Sequence, residues 1–525
     1  MAADLGVLDL SPPKVRSRPE APAARHIRGS SLLLLGRAIS MVANFGIQIL
    51  IVRHFSKSDF GAFAYALSIV NLLTTVITLG LDRGITRFVA IYDEQKAYGK
   101  LFGTIVMQLS TIFSLGLVAV ALVYTSQGWL SGTLIDDRQA ISVLVVLVVL
   151  APVQALDDML MQLFAVFARP GAIFFRRHLL GPGLRLAVVV MLLAGNRSVS
   201  FLAAGYVVAT AVGVILSGVL LLRVMRQQGL LRQARAAGLE FPLREVVGFT
   251  VPLMTSDLVY MLMGASAVMM LGHYRATEDV AAFRAVVPLA GMCQLVMSSF
   301  SLLFTPTASR LFARGDQAGI RDLYWKTAAW VAVLTFPAFA VTFSLAGPVT
   351  TTLLGARYAD SATFLALIAL GQYFQSALGF NGLTLKVFSR LRYLVTMNLA
   401  VAGLNLVLNV LLIPRYGALG AALSTSATLI VHNVAKQAGL RLVGIGVFER
   451  RYLRLYGVVT GLALGLMGVQ HFAQAPLLAG LALTGVASCI VLVVNRDVLD
   501  VSGTFPELLR IPLVGRIIRF GGAPR

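Results

Sequence analysis

Fourteen stretches of about 20 mostly apolar residues recur along the chain, and each is long enough to cross the roughly 30 Å hydrocarbon core of a bilayer as a helix. They lie near 31–52, 60–81, 101–124, 141–166, 179–195, 200–222, 247–271, 282–305, 327–347, 361–385, 393–413, 418–435, 455–472 and 475–494. Lipid offers no partner for a free N–H or C=O, so continuous apolar runs must satisfy their backbone internally, as helices. An outer-membrane barrel would alternate apolar and polar residues instead. The reading is an all-α integral membrane protein. Composition agrees: 58% of the 525 residues are hydrophobic and 13% charged, against about 45–50% and about 25% in soluble domains.

The net charge of +21 would suggest nucleic acid in a soluble protein. Here the bases sort by loop. With the N-terminus in the cytoplasm, 34 of the 44 Lys and Arg fall on the cytoplasmic side, eight on the outside and two, Arg37 and Arg185, inside helices. That is the bias that orients membrane proteins, so the charge sets topology and no nucleic-acid partner is expected. Both termini are then cytoplasmic. Residues 1–29, with Pro12, Pro13, Pro19 and Pro22 and no apolar core, read as a disordered cytoplasmic tail and not a signal peptide. Residues 495–525 mix arginines with apolar residues and read as an amphipathic cytoplasmic tail at the anionic inner leaflet.

An internal repeat organises the middle. Asn71, Thr75, Thr78 and Asp82 fall at steps of 4, 3 and 4, on one helix face. Gln294, Ser298, Ser301 and Thr305 repeat the steps at an offset of 223, which also maps Arg87 onto Arg310. Arg53-His54-Phe55 aligns with Gly272-His273-Tyr274 at an offset of 219. Two parallel six-helix repeats follow, over 30–222 and 247–440, joined by a basic cytoplasmic linker, 223–246, with two appended helices in 441–494. Parallel repeats related by an axis along the membrane normal place a central cavity between the halves. Gly457, Gly461 and Gly465 put small residues on one face of the first appended helix, as helix packing in lipid favours.

Three segments carry a resemblance. Gly80-Leu81-Asp82-Arg83-Gly84-Ile85-Thr86-Arg87-Phe88, His54-Phe55-Ser56-Lys57-Ser58-Asp59-Phe60-Gly61 and Leu412-Ile413-Pro414-Arg415-Tyr416-Gly417-Ala418-Leu419-Gly420 are similar to the corresponding parts of the bacterial polysaccharide-transporter family. These are the O-antigen and exopolysaccharide flippases of the multidrug/oligosaccharidyl-lipid/polysaccharide exporter superfamily. The resemblance covers roughly residues 30–495. It implies two six-helix bundles, alternating access, and movement of polyprenyl-pyrophosphate-linked oligosaccharide from the cytoplasmic to the outer leaflet of the inner membrane. It also implies membrane lipids and other polysaccharide-assembly proteins as partners. A cation-coupled exporter of drugs or metabolites with the same fold is the alternative. A membrane glycan polymerase or ligase is the rival from another class, and it would need a larger outer loop than this chain offers.

An oligosaccharide needs a wet lumen, since an unpaired hydroxyl costs about 4–8 kcal/mol in hydrocarbon. Candidate lumen residues are Asn44 and Gln48 beside Arg37 on the first helix, Asn71, Thr75 and Asp82 on the second, Gln294 and Ser298 on the eighth, Gln372 on the tenth and Asn405 on the eleventh. Amides and hydroxyls both donate and accept, which suits sugars. Arginine forks two phosphate oxygens, so Arg37, Arg83, Arg87 and Arg185 are the candidate headgroup contacts. Asp157, Asp158 and Asp257 are intramembrane carboxylates, functional by default. They are candidates for a gate or for carrying a proton or sodium ion if a gradient drives transport. The structural alternative is that these arginines and aspartates pair with one another, Arg37 with Asp257 for example. No cofactor, metal cluster or nucleophile–base pair is readable: the two cysteines, Cys293 and Cys489, lie in apolar runs and the six histidines are scattered. No enzymatic role is expected.

Overall fold

A computed structural model describes residues 22–133, 137–167 and 169–500. Among these residues the chain is helical throughout, with no strand. Each apolar run becomes a helix, and we number these α1 to α14. The first six are α1 (Pro22–His54), α2 (Lys57–Thr78), α3 (Tyr98–Thr125), α4 (Arg138–Val166), α5 (Gly171–Gly195) and α6 (Val199–Gln227). Next come α7 (Leu243–Tyr274), the bent pair α8 (Thr277–Ala290 and Cys293–Ala313), α9 (Gln317–Ser344), α10 (Ser361–Val387), α11 (Leu391–Tyr416) and α12 (Ala418–Val443). The appended pair is α13 (Arg450–Ala473) and α14 (Leu477–Val494). Twelve of these helices are long and apolar enough to cross a membrane, thirteen with the bent pair counted as one. The expected total of fourteen differs through α7, whose described apolar part is the shorter Met261–Tyr274. The protein is a multi-pass membrane protein.

Helix ends follow local chemistry. Ser56 caps α2 by accepting from the Asp59 N–H at 3.0 Å, and Asp137 caps α4 by accepting from the Gln139 N–H at 2.8 Å. Each satisfies a donor that the first turn leaves open. α2 stops where Leu79 and Gly80 turn left-handed at φ 47° and 67°. α8 bends by 46° just after Pro288, whose ring cannot donate and crowds the carbonyl four residues back. α1 starts at Pro22, inside the segment read as a tail, because proline is tolerated at a first helical position. Residues 1–21 and 501–525, which hold most of both expected tails, lie outside the described residues.

α2 packs on α8 and α4, while α11 packs on α12 and α7, so the two halves meet through α2 and α8. We call the end at which α1 finishes the distal end and the opposite one the proximal end. The distal end is tied across the halves. Arg357 donates to the carbonyls of Val52 and Arg53 at 2.5 and 2.7 Å, and Arg53 donates to that of Leu353 at 3.0 Å. Lys57 lies 3.9 Å from Asp360. At the proximal end the segment before α7 docks on the first half: Glu240 N–H donates to the Gly99 carbonyl at 3.1 Å and Tyr92 Oη to Glu245 at 2.9 Å. Leu81, Met107 and Val246 form a small apolar cluster beside it.

α13 and α14 both pack on α9; α13 buries Tyr452, Leu455, Val459 and Ala463, with Ser344 Oγ donating to the Ala463 carbonyl at 3.0 Å. The glycine stripe of α13 turns the other way. A Cβ at Gly457, Gly461 or Gly465 would meet no atom within 4 Å, so this face is not the contact with the bundle. The larger aliphatic residues make that contact because they bury more apolar surface.

Candidate functional site

A cavity of about 1110 Å3 opens among α1, α2, α4, α5 and α6. That is at the upper end of the roughly 300–1,000 Å3 typical of small-molecule sites. Its lining runs down one face of α2 from Asn71 through Thr75 and Thr78, then past the Gly80 break to Asp82. The chain break matters: the turn at Leu79 and Gly80 lets Asp82 restart a short helix, Leu81–Gly84, with its carboxylate still facing the same space. α1 contributes Arg37, Ser40 and Asn44, and α4 contributes Gln154, Asp157 and Asp158.

α5 supplies the strongest charge. Residues Phe175–Leu180 form a π-helical turn immediately ahead of Pro182. The proline has no N–H for the α-helical bond to the carbonyl of residue 178, and its ring crowds that carbonyl. Such π-turns recur at functional sites. This one turns Arg176, Arg177 and His178 toward the cavity, with Arg185 one and a half turns on. Among the described residues four arginines and three aspartates therefore line one space. Arg176 is 6% exposed. Its guanidinium lies against the backbone of α6, where a Cβ at Gly213 would stand 2.5 Å from Cζ. Arg176 Nη2 is 2.8 Å from Asp157 Oδ1. The contact is an ion pair out of hydrogen-bond alignment, and Arg176 Nε has no acceptor among the described residues. Ser40 Oγ and His178 Nδ1 lie 2.8 Å apart and pin α1 to the π-turn. Arg185 also stacks over the Tyr206 ring at 5.5 Å.

Of the residues singled out in the sequence, Arg37, Asn44, Asn71, Thr75, Asp82, Asp157, Asp158 and Arg185 line this cavity. The others are placed elsewhere. Gln48 reaches the Ala285 carbonyl on α8 at 3.5 Å. Gln294 Nε2 donates to Gln372 Oε1 at 3.0 Å, which ties α8 to α10. Ser298 Oγ turns back to the Leu295 carbonyl at 2.8 Å. Asn405 is buried at 3% exposure, donating to Thr428 Oγ1 at 3.2 Å and accepting from Ser266 Oγ at 3.2 Å and Asn409 Nδ2 at 3.1 Å. It is part of a closed neutral network between α7, α11 and α12, not a lumen residue. Arg87 is exposed on the short π-turn Ile85–Val89, 5.8 Å above the Phe88 ring. The side chains of Arg83 and Asp257 lie outside the described ones, and with Asp257 the suggested Arg37 pairing.

Among the described residues the cavity lining comes mostly from the first half, with Met261 from the second. Arg176 and Arg177 were counted in the sequence as topology-setting loop bases. The available signal was their closeness to Gly181-Pro182 inside a polar-interrupted run.

A family model described as "Polysaccharide biosynthesis protein" matches residues 26–312, more than half of the chain. The chain belongs to the polysaccharide biosynthesis protein family. No curated protein matches it by sequence. Solved structures share the fold of this polysaccharide biosynthesis protein. The lipid II flippase MurJ in an inward closed conformation is 12% identical, with a TM-score of 0.66 over 90% of this chain and 100% of that one. An inward-facing multidrug resistance MATE transporter of the MOP superfamily is 12% identical, with a TM-score of 0.58 over 77% and 94%. A MOP superfamily transporter from Pyrococcus furiosus is 13% identical, with a TM-score of 0.53 over 80% and 95%. The fold is the one these membrane transporters and flippases share.

Proposed function

We propose that this protein flips polyprenyl-pyrophosphate-linked oligosaccharide from the cytoplasmic to the outer leaflet of the bacterial inner membrane by alternating access, for surface polysaccharide synthesis. The observation that carries the reading is the cavity in which Arg37, Arg176, Arg177 and Arg185 converge beside hydroxyls and amides. Guanidinium groups fork phosphate oxygens, and Asn44, Asn71, Thr75 and Gln154 offer sugar hydroxyls both donors and acceptors. The cavity takes the head while the polyprenyl tail stays in lipid. The bias of basic residues supports a cytoplasmic proximal end and cytoplasmic termini.

An inside-negative potential favours outward movement of an anion by about 2.3 kcal/mol per charge per 100 mV. A coupled ion is therefore not required, although Asp157, Asp158 and Asp257 are the carboxylates that would carry a proton or sodium. The second reading, cation-coupled export of small molecules, draws on the MATE likeness and on the acids in the cavity. A site with four arginines and three aspartates is a poor receptor for the lipophilic cations such exporters would take. Deletion followed by analysis of polyprenyl-linked sugars separates the two. The flippase reading expects lipid-linked oligosaccharide to accumulate in the cytoplasmic leaflet and surface polysaccharide to disappear. Unchanged lipid intermediates with a new drug sensitivity would select the exporter.

A further inference from the structure

The cavity holds its own anion. Asp157 on α4 places Oδ1 2.8 Å from Nη2 of Arg176, the most buried of the four arginines, whose Nε has no acceptor among the described residues. The seat is built. Gly213 clears room for the guanidinium, since a Cβ there would stand 2.5 Å from Cζ, and one at Gly181 would stand 3.1 Å from Nη1. Arg176 is thus locked in place, while the Asp157 side chain is 25% exposed on the cavity side. Of the pair, the carboxylate is the partner with room to move.

We propose that Asp157 sets the affinity threshold of the cavity: its carboxylate is a resident competitor on Arg176, and only an anion that brings a second phosphoryl group gains enough to displace it. The inference rests on reading the cavity as a diphosphate site. An incoming monophosphate that takes Arg176 exchanges one anion for another. It gains a guanidinium contact, loses the ion pair for the protein, and leaves Asp157 as a like charge beside it. That exchange is close to even. A diphosphate is long enough to hold Arg176 with one phosphoryl group and a second arginine with the other, Arg177 or Arg185 being nearby on the same helix. The second contact breaks no ion pair among the described residues, so it supplies the net gain. The displacement cost falls on both ligands alike, so it decides which of them binds at all and not the ratio of their affinities. Asp158 and Asp82 also line the cavity and add to the repulsion, but neither forms an ion pair with Arg176 among the described residues.

The test titrates detergent-solubilised full-length protein with geranylgeranyl diphosphate and geranylgeranyl monophosphate. The wild type is expected to prefer the diphosphate by about tenfold or more. Asp157→Asn, of the same shape without the charge, should raise the affinity for both lipids about tenfold and leave their ratio nearly unchanged. Asp157→Ser is the second variant, with the same expectation should the amide disturb folding. Unchanged or weakened affinity for both ligands in a folded variant overturns the inference and leaves the flippase reading standing. A wild type that binds neither lipid removes the diphosphate reading itself, and the inference with it.

Discussion

Ser58 Oγ lies 3.4 Å from Thr277 Oγ1, and the two residues are 219 positions apart. That is the offset at which Arg53-His54-Phe55 aligns with Gly272-His273-Tyr274. A residue that touches its own counterpart sits on a two-fold axis, as in isologous contacts between subunits. The α2–α8 contact is therefore where two parallel repeats would meet on their axis. The fit is close: a Cβ at Gly61 would stand 1.9 Å from the Thr277 carbonyl. Gly61→Val should force the halves apart and cost about 1–3 kcal/mol through overpacking. A thermal melt of the purified protein checks this, and Ser58→Ala should by comparison leave the midpoint nearly unchanged.

The Arg176–Asp157 pair separates stability from transport. Arg176→Gln leaves a part-buried carboxylate without its partner, for a loss of about 1–3 kcal/mol. Adding Asp157→Asn removes the stranded charge and should restore most of the thermal stability. Surface polysaccharide should stay absent in both strains if Arg176 holds the headgroup. Normal polysaccharide in the double variant would reduce the arginine to a packing role.

The α7–α11–α12 network makes the opposite prediction. Asn409 Nδ2 donates to Ser266 Oγ and Asn405 Oδ1, each at 3.1 Å, and Asn409 Oδ1 accepts from Ser424 Oγ at 2.5 Å. Asn409→Ala strands several buried polar atoms at about 1–3 kcal/mol. Stability and expression should fall, while the affinity of the remaining folded protein for a prenyl diphosphate should match the wild type. A selective loss of affinity would bring this network into the substrate path.

At the distal end Arg357 caps the last carbonyls of α1. Cations favour helix C-termini, and charge-assisted hydrogen bonds contribute about 1.5–3 kcal/mol. Arg357→Ala should shift the population toward a state open at this end. Single cysteines introduced at Ser58 or Ser361 would then label faster with an impermeant thiol reagent from outside the cell. Labelling only from the inside would reverse the assigned orientation.

The proximal clasp has a pH signature. Tyr92 is pushed up to about 12 from 10.0, by burial first and then by its hydrogen bond to Glu245 and the charge of that carboxylate. A raised phenol keeps the neutral donor form in the folded protein. Its contribution is complete below pH 10 and disappears as pH rises toward 12. Tyr92→Phe should remove that dependence and loosen the linker at neutral pH, read as faster proteolysis between residues 230 and 245.

The lipid-spanning character of this chain, the positions of its helices and its family could be read from residue order alone. Apolar run length and the bilayer's intolerance of free backbone groups act locally, and so does the face on which Asn71, Thr75 and Asp82 repeat. Tertiary packing decided which polar groups remain available to a ligand. Arg176 and Arg177 look like loop bases until the turn before Pro182 brings them beside Asp157 on α4 and Gly213 on α6. Asn405 looks like a lumen residue until neighbours distant in sequence satisfy it. A helix face is set within one turn of chain, whereas hydrogen-bond satisfaction depends on partners that only long-range packing supplies.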